Sequence, residues 1–144
     1  MDLGLKGKNA IVLGGTRGIG RAIAQTLAGE GTNVAVCARN ADQVAATVAE
    51  LKTSGINATG GPVDITDGAA LKGWIETAAK KLDGVDLLFS NAGAMSQGHD
   101  PASWEQNFRL DVLGAVHAFD AARPFLEAGG EKSGDAAFVI ISSI

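Results

Sequence analysis

The regular alternation of short apolar runs with longer amphipathic segments constrains the fold of this chain most strongly. In the amphipathic segments apolar residues recur every three or four positions, as on one face of a helix. The apolar runs are predicted to be strands, over residues 9–13, 33–38, 57–63, 85–89 and 136–142. Near-continuous apolar strands joined by helices are typical of a parallel sheet covered on both faces. Right-handed crossovers then predict a doubly wound α/β sheet with strand order 3-2-1-4-5.

The helical segments carry recognisable start and stop signals. Asn40 followed by Gln43 predicts the cap of the second helix, and Thr66 or Asp67 that of the third. Asp100-Pro101 opens the last helical segment, Pro124 is expected to kink or shorten it, and Gly129-Gly130 to end it. We expect its core face to consist of Trp104, Phe108, Val112, Ala115, Phe119 and Leu126. The core face of the first helix is predicted to be Ile19, Ile23 and Leu27.

Composition excludes several classes of function. The formal net charge is -4 and no Lys/Arg-rich run occurs, which argues against a nucleic-acid or anionic-membrane surface. Cys37 is the single cysteine, so no internal disulfide forms, and we expect it to be a buried strand residue. Two histidines and one cysteine, far apart in sequence, predict no metal site. No targeting segment or membrane span is predicted, and a cytoplasmic protein is expected.

A glycine-rich loop joins the first predicted strand to the first predicted helix. Glycines at 14, 18 and 20 let the backbone turn tightly and let a pyrophosphate approach closely. The following helix would present its free N–H groups and positive dipole end to that anion. The alternative is a plain tight turn between strand and helix.

The spacing Gly-x-x-x-Gly-x-Gly and four later motifs resemble the short-chain dehydrogenase/reductase family. Those motifs are Asp64-Ile65, Ser90-Asn91-Ala92-Gly93, Asp111-Val112-Leu113-Gly114 and Ile141-Ser142-Ser143. The resemblance covers the whole chain and implies a Rossmann fold that binds a nicotinamide dinucleotide. It implies these cofactor-binding residues: Gly14, Thr16, Arg17, Gly18, Ile19, Gly20, Arg39, Asp64, Ile65, Asn91, Ala92 and Gly93.

The same resemblance implies two catalytic residues. Ser143 falls where the family has the serine that stabilises the substrate's carbonyl oxygen. Asp111 replaces an asparagine whose main-chain carbonyl holds a water of the proton relay, and the alternative is a solvated or capping helix residue. Leu13 replaces a threonine and is expected to loosen a hydrogen bond to the Asn91 loop. The family's Tyr-x-x-x-Lys lies beyond the serine, and this chain contains no tyrosine.

The charges beside the second strand bear on cofactor choice. Sites for NAD place a carboxylate at the end of this strand, but here Ala38 is followed by Arg39, and Arg17 lies in the glycine loop. Two cations without an acid predict a site for the 2′-phosphate of NADP(H). The alternative is that both arginines are solvated surface charges.

Together these features predict an NADPH-dependent oxidoreductase that reduces a ketone or aldehyde. Residues 1–144 would form its NADP(H)-binding domain, as a truncated or cleaved chain without the substrate loop and the Tyr-x-x-x-Lys segment. The expected partners are a small carbonyl or alcohol substrate, a complementary C-terminal segment of the same protein, and further copies in a homo-oligomer. The alternative is a dinucleotide-binding or regulatory module without catalysis.

Overall fold

A computed structural model gives the fold of the chain and describes residues 1–93 and 97–142. Its strands form one parallel sheet in the order β3-β2-β1-β4-β5, which confirms the doubly wound Rossmann prediction. The strands are β1 (Asn9–Leu13), β2 (Asn33–Ala38), β3 (Ala58–Pro62), β4 (Leu87–Ser90) and β5 (Ala137–Ile140). The last three differ from the predicted bounds by one or two residues at their ends.

The helices cover both faces of the sheet. They are α1 (Gly18–Gly29), α2 (Ala41–Lys52), α3 (Gly68–Leu82), α4 (Pro101–Asn107), a π-helix (Phe108–Leu113) and α5 (Gly114–Ser133). The Asn40 side chain accepts a hydrogen bond from the Gln43 N–H, as predicted. Asp67 caps α3 by accepting from the Ala70 N–H, whereas Thr66 bonds to Asp64. Among the residues described, no helix is both long and apolar enough to cross a membrane.

Alternate residues of the strands face two separate cores. Ala10 and Val12 pack towards α1 and α2, whereas Ile11 and Leu13 pack towards α3 and α5. Cys37 is fully buried in the second of these cores, and burial raises the pKa of its thiol to about 12. The thiol therefore stays protonated at neutral pH, which agrees with the prediction of a buried strand residue rather than a nucleophile.

The last helical segment differs from the prediction in its course. It contains a π-helix, continues through Pro124, and ends at Ser133 rather than at Gly129-Gly130. Gly134, with φ of 90°, provides the left-handed turn that ends it. A Cβ at Gly129 would lie 2.4 Å from the Val85 carbonyl oxygen. That glycine therefore permits close packing of α5 against the chain entering β4, and it is not a stop signal.

The predicted core face of this segment is wrong for four large side chains, whereas Ala115 and Leu126 are buried as predicted. Trp104 is 66% exposed, Phe108 52% and Val112 46%, and Phe119 is also exposed. The buried face of α5 consists of small residues and one leucine, namely Gly114, Ala115, Ala118, Ala121, Ala122 and Leu126. A π-helix has more residues per turn than an α-helix, so it shifts the phase of the residues on either side of it. We call the exposed residues the apolar stripe, defined as Trp104, Phe108, Val112, Val116 and Phe119.

The predicted core face of α1 is wrong at one residue, Ile19. Ala24, Leu27 and Ala28 are buried, but Ile19 is 62% exposed. Ile19 lies in the first turn of α1, beyond the carboxyl edge of the sheet, where no helix covers it. Its side chain faces a cleft at that edge.

Candidate functional site

A cleft of about 1170 Å³ lies at the carboxyl ends of β1 to β4. Small-molecule sites usually measure about 300–1,000 Å³, so this cleft has room for an extended ligand. Its lining includes every predicted cofactor-binding residue except Gly20, namely Gly14, Thr16, Arg17, Gly18, Ile19, Arg39, Asp64, Ile65, Asn91, Ala92 and Gly93. The fold therefore brings four separated segments of the sequence to one place, as parallel strands with a common carboxyl edge require.

The loop between β1 and α1 requires glycine at several positions. Gly14 and Gly18 have φ of 69° and 54°, which favours glycine. A Cβ at Gly14 would lie 3.0 Å from the Ala92 Cα. A Cβ at Gly20 would lie 2.1 Å from the Gly14 carbonyl oxygen and 2.4 Å from Asn91 Nδ2. Gly20 thus lies beneath the loop and allows it to fold against the start of α1.

The start of α1 is open to the cleft. Arg17 immediately precedes the first residue of α1. Its backbone is extended, and its side chain makes no capping hydrogen bond. The free N–H groups of the first turn, with the positive end of the helix dipole, form a favourable site for an anion. A loop with glycine backbone exposed to the cleft and a helix N-terminus behind it fits the pyrophosphate of a dinucleotide.

Asn91 joins the loop after β4 to the glycine loop. Its Nδ2 donates a hydrogen bond of 3.1 Å to the Gly14 carbonyl oxygen. Leu13, which precedes Gly14, is fully buried in the core. The bond therefore forms with leucine at this position, and the loosening expected from Leu13 stays a prediction.

Charged residues line the side of the cleft next to β2 and β3. Arg17 and Arg39 are exposed, and none of the ion pairs within the described part of the chain involves either guanidinium. Hydrogen bonds from the Thr66 hydroxyl and N–H hold the pKa of Asp64 below its usual value, and the charge of Arg39 adds to this effect. Asp64 is therefore an ionised acceptor close to the guanidinium of Arg39.

Helix α4 and the π-helix form another wall of the cleft, and the π-helix and its end contact two of the loops. A Cβ at Gly114, where the π-helix ends, would lie 2.8 Å from Ile65 Cγ2. Asp111 Oδ1 lies 3.4 Å from the position that a Cβ on Gly93 would take. The exposed Asp111 is thus brought beside the loop after β4, and its predicted catalytic role remains a prediction.

Five residues of this wall were not predicted from the sequence. Glu105, Gln106, Arg109 and Leu110 line the cleft, along with Ala102. Arg109 Nη2 lies 2.6 Å from Glu105 Oε1. The spacing of Glu105 and Arg109 predicts an ion pair on a helix surface. No pattern within the helix indicates that this surface faces the cleft.

Three further predictions concern residues around the site. Ser143 lies outside the described residues, although the Ile141 N–H donates to the Ser90 carbonyl oxygen and so places the start of its motif at the carboxyl edge. His117 packs beside Gly68 at the start of α3, in agreement with a packing role, and His99 is an exposed loop residue. Within the described ranges, no group of His, Cys, Asp and Glu side chains could hold a metal.

Comparison with known proteins gives a consistent result. The family model for short chain dehydrogenase matches residues 8–144. Isoepoxydon dehydrogenase of Penicillium expansum is 35% identical over 148 aligned positions, which cover 99% of this chain. An NADH-dependent reductase solved with NAD superimposes with a TM-score of 0.91 at 28% identity, over 100% of this chain and 62% of its own. The Pseudomonas aeruginosa RhlG/NADP complex superimposes with a TM-score of 0.86 at 29% sequence identity, over 96% of this chain and 56% of its own.

The lengths of these proteins differ from that of this chain. The alignment covers 55% of the Penicillium dehydrogenase, so the chain spans about half the length of this curated relative. The solved relatives include one complex with NAD and one with NADP. Structural similarity alone therefore leaves the cofactor open, and the residues at the end of β2 bear on that choice.

Proposed function

Because this chain belongs to the short-chain dehydrogenase family of oxidoreductases, we propose that it provides the cofactor site of an NADPH-dependent carbonyl reductase. One observation carries the proposal: the glycine loop, Arg17, Arg39 and Asn91 line a single cleft large enough for a dinucleotide. The exposed arginines beside the uncharged end of β2 favour NADPH over NADH.

Each part of the cleft has a distinct proposed role. The glycine loop and the first turn of α1 bind the pyrophosphate through backbone N–H groups. Arg17 and Arg39 bind the 2′-phosphate by charge-assisted hydrogen bonds. Asp64 accepts from the adenine amino group and Ile65 packs against the ring, while the loop from Asn91 to Gly93 follows the ribose. When bound, the cofactor supplies the hydride.

The proposed chemistry of this chain's own residues concerns the substrate oxygen. Ser143 donates a hydrogen bond to the carbonyl oxygen and stabilises the negative charge that develops there. Asp111, beside Gly93, holds a water of the proton relay through its main-chain carbonyl. The chain contains no tyrosine, so we propose that a complementary C-terminal segment of the same protein supplies the proton donor.

Removing the charge of Arg39 is expected to weaken NADPH binding by roughly tenfold or more, because a hydrogen bond between charged groups contributes about 1.5–3 kcal/mol. NADH lacks the 2′-phosphate, so its affinity should change little. Titration of both cofactors into the parent protein and the Arg39→Ala variant measures the effect. Equal affinities for both cofactors in the parent, or an unchanged NADPH affinity in the variant, would contradict NADPH preference.

A non-catalytic dinucleotide-binding module is the second candidate, favoured by the absence of tyrosine from the chain. Both candidates bind the cofactor, so binding does not separate them. Measuring the oxidation of NADPH in the presence of a panel of ketones and aldehydes separates the two candidates, because only the reductase consumes NADPH. We further propose a cytoplasmic location, since a single free cysteine suits a reducing compartment.

We also propose that the protein self-associates and that a second copy covers the apolar stripe. Five large apolar residues, spaced three or four positions apart along the last helical segment, are exposed, and exposed apolar patches commonly mark protein interfaces. Val116→Asp is expected to shift the protein to a smaller assembly in sedimentation velocity, because it places a charge within the stripe. Ala46→Asp, on the exposed face of α2 across the sheet, is the control. A monomeric parent protein would refute this proposal.

A further inference from the structure

The ion pair between Glu105 and Arg109 belongs to the cleft wall and has no role in the proposed function. Arg109 extends from the π-helix and Glu105 from α4, one helical turn apart. Both residues line the same cleft as Arg17 and Arg39. A third arginine therefore borders the space in which the dinucleotide is proposed to lie.

Contacts in the second half of the π-helix and just after it hold the backbone that carries this arginine. Gly114 packs closely against Ile65, and Asp111 lies beside Gly93. The π-helix thus crosses between the loop proposed to bind adenine and the loop proposed to follow the ribose. Leu110, the next residue, is partly buried against the core on the α3 side of the sheet. Arg109 is consequently anchored at its backbone while its side chain remains free to reorient.

The partner of Arg109 in this structure is easily exchanged. The side chains of Arg109 and Glu105 are 60% and 62% exposed. Exposed ion pairs of this kind contribute little to stability, because water screens both charges. A phosphate offers the guanidinium a higher charge and the geometry for two parallel hydrogen bonds. A phosphate group within reach would therefore compete successfully with Glu105.

We propose that Arg109 exchanges Glu105 for a phosphate of the bound dinucleotide and is a third phosphate-binding arginine of the cleft. The inference rests on the proposed function, because it requires a dinucleotide in the cleft. Glu105 holds the guanidinium at the wall in the free protein and weakens binding by competing for it. The phosphate is either the 2′-phosphate or the pyrophosphate, which the two cofactors distinguish.

The test is titration of NADP⁺ and NAD⁺ into the parent protein and three variants. Arg109→Gln is expected to weaken binding by about fivefold to tenfold, as for loss of a partly exposed charge-assisted bond. Glu105→Gln is expected to strengthen binding by about twofold, because the competitor is lost. The affinity of the Arg109→Lys variant should lie between those of the parent protein and Arg109→Gln, since lysine keeps the charge without the planar guanidinium. A loss confined to NADP⁺ assigns the 2′-phosphate, and an equal loss for both cofactors assigns the pyrophosphate.

A matched control is available on α5. Arg123 Nε lies 2.7 Å from Glu127 Oε1, both side chains are similarly exposed, and neither residue lines the cleft. Arg123→Gln removes the same charge and should leave both affinities unchanged. Parent-like binding by Arg109→Gln, or an equal loss in Arg123→Gln, would overturn the role of Arg109 alone. A parent protein that binds neither dinucleotide would overturn the proposed function as well.

Discussion

Replacing Gly20 by alanine is expected to weaken dinucleotide binding by about 100-fold or more, since misplacing binding groups by about 1 Å has effects of this size. The new Cβ would lie 2.1 Å from the Gly14 carbonyl oxygen and 2.4 Å from Asn91 Nδ2. The Gly14 oxygen belongs to the backbone of the glycine loop. Asn91 Nδ2 donates the hydrogen bond that joins the loop after β4 to the glycine loop. The loop must therefore move away from the start of α1. Isothermal titration with NADP⁺ measures the affinity.

The same substitution is expected to lower the free energy of unfolding by about 1–3 kcal/mol, as overpacking does elsewhere. Gly29→Ala is the matched control, because Gly29 lies in the same helix and a Cβ there would meet nothing within 4 Å. That variant should bind NADP⁺ like the parent and gain up to about 1 kcal/mol of stability from helix propensity. Parent-like NADP⁺ affinity in Gly20→Ala would show that the loop is not the binding site.

Replacing Ser143 by alanine is expected to lower turnover by about 100-fold or more, in line with loss of a hydrogen-bond donor to a developing oxyanion. The motif containing Ser143 begins at Ile141, whose N–H donates to the Ser90 carbonyl oxygen at the carboxyl edge of the sheet. NADPH affinity should barely change, because the proposed contact is with the substrate. Steady-state reduction of a panel of ketones and aldehydes, measured with the proposed C-terminal segment present, gives the turnover numbers.

Ser142→Ala provides the comparison for this prediction. The hydroxyl of Ser142 is not assigned to the substrate, so the turnover number of this variant should stay within a few-fold of that of the parent protein. If Ser142→Ala is the damaging change and Ser143→Ala is not, the assignment along the motif is displaced by one residue. Full activity in both variants would remove the serine from the proposed mechanism.

Several features of this protein could be predicted from residues close together in the chain. The glycine spacing from 14 to 20 and the cap at Asn40 depend on backbone geometry within a few residues. The strand order followed from the alternation of apolar runs with helices, because right-handed crossovers leave few ways to connect them. Once the order is known, the carboxyl ends of neighbouring strands must share one edge, so the motifs at those ends converge.

The last helical segment shows what could not be predicted in this way. Trp104, Phe108 and Val112 recur at helical spacing, but they are exposed, and alanines of α5 pack against the sheet and α3 instead. Apolar residues occur on more than one face of this segment, so periodicity alone does not decide which face is buried. The π-helix then sets the phase through contacts with Ile65 and Gly93, which are distant in sequence.

The sequence by itself therefore determined the sheet, its strand order and the glycine loop, because each depends on local geometry or on chain connectivity. Only the tertiary structure decided that Gly20 supports the loop from beneath, that Ile19 faces the cleft, and that Glu105 and Arg109 form its wall. These properties depend on where α1 and the π-helix meet loops from other strands. Such contacts are set by packing between elements far apart in the chain, and no local pattern of residues specifies that packing.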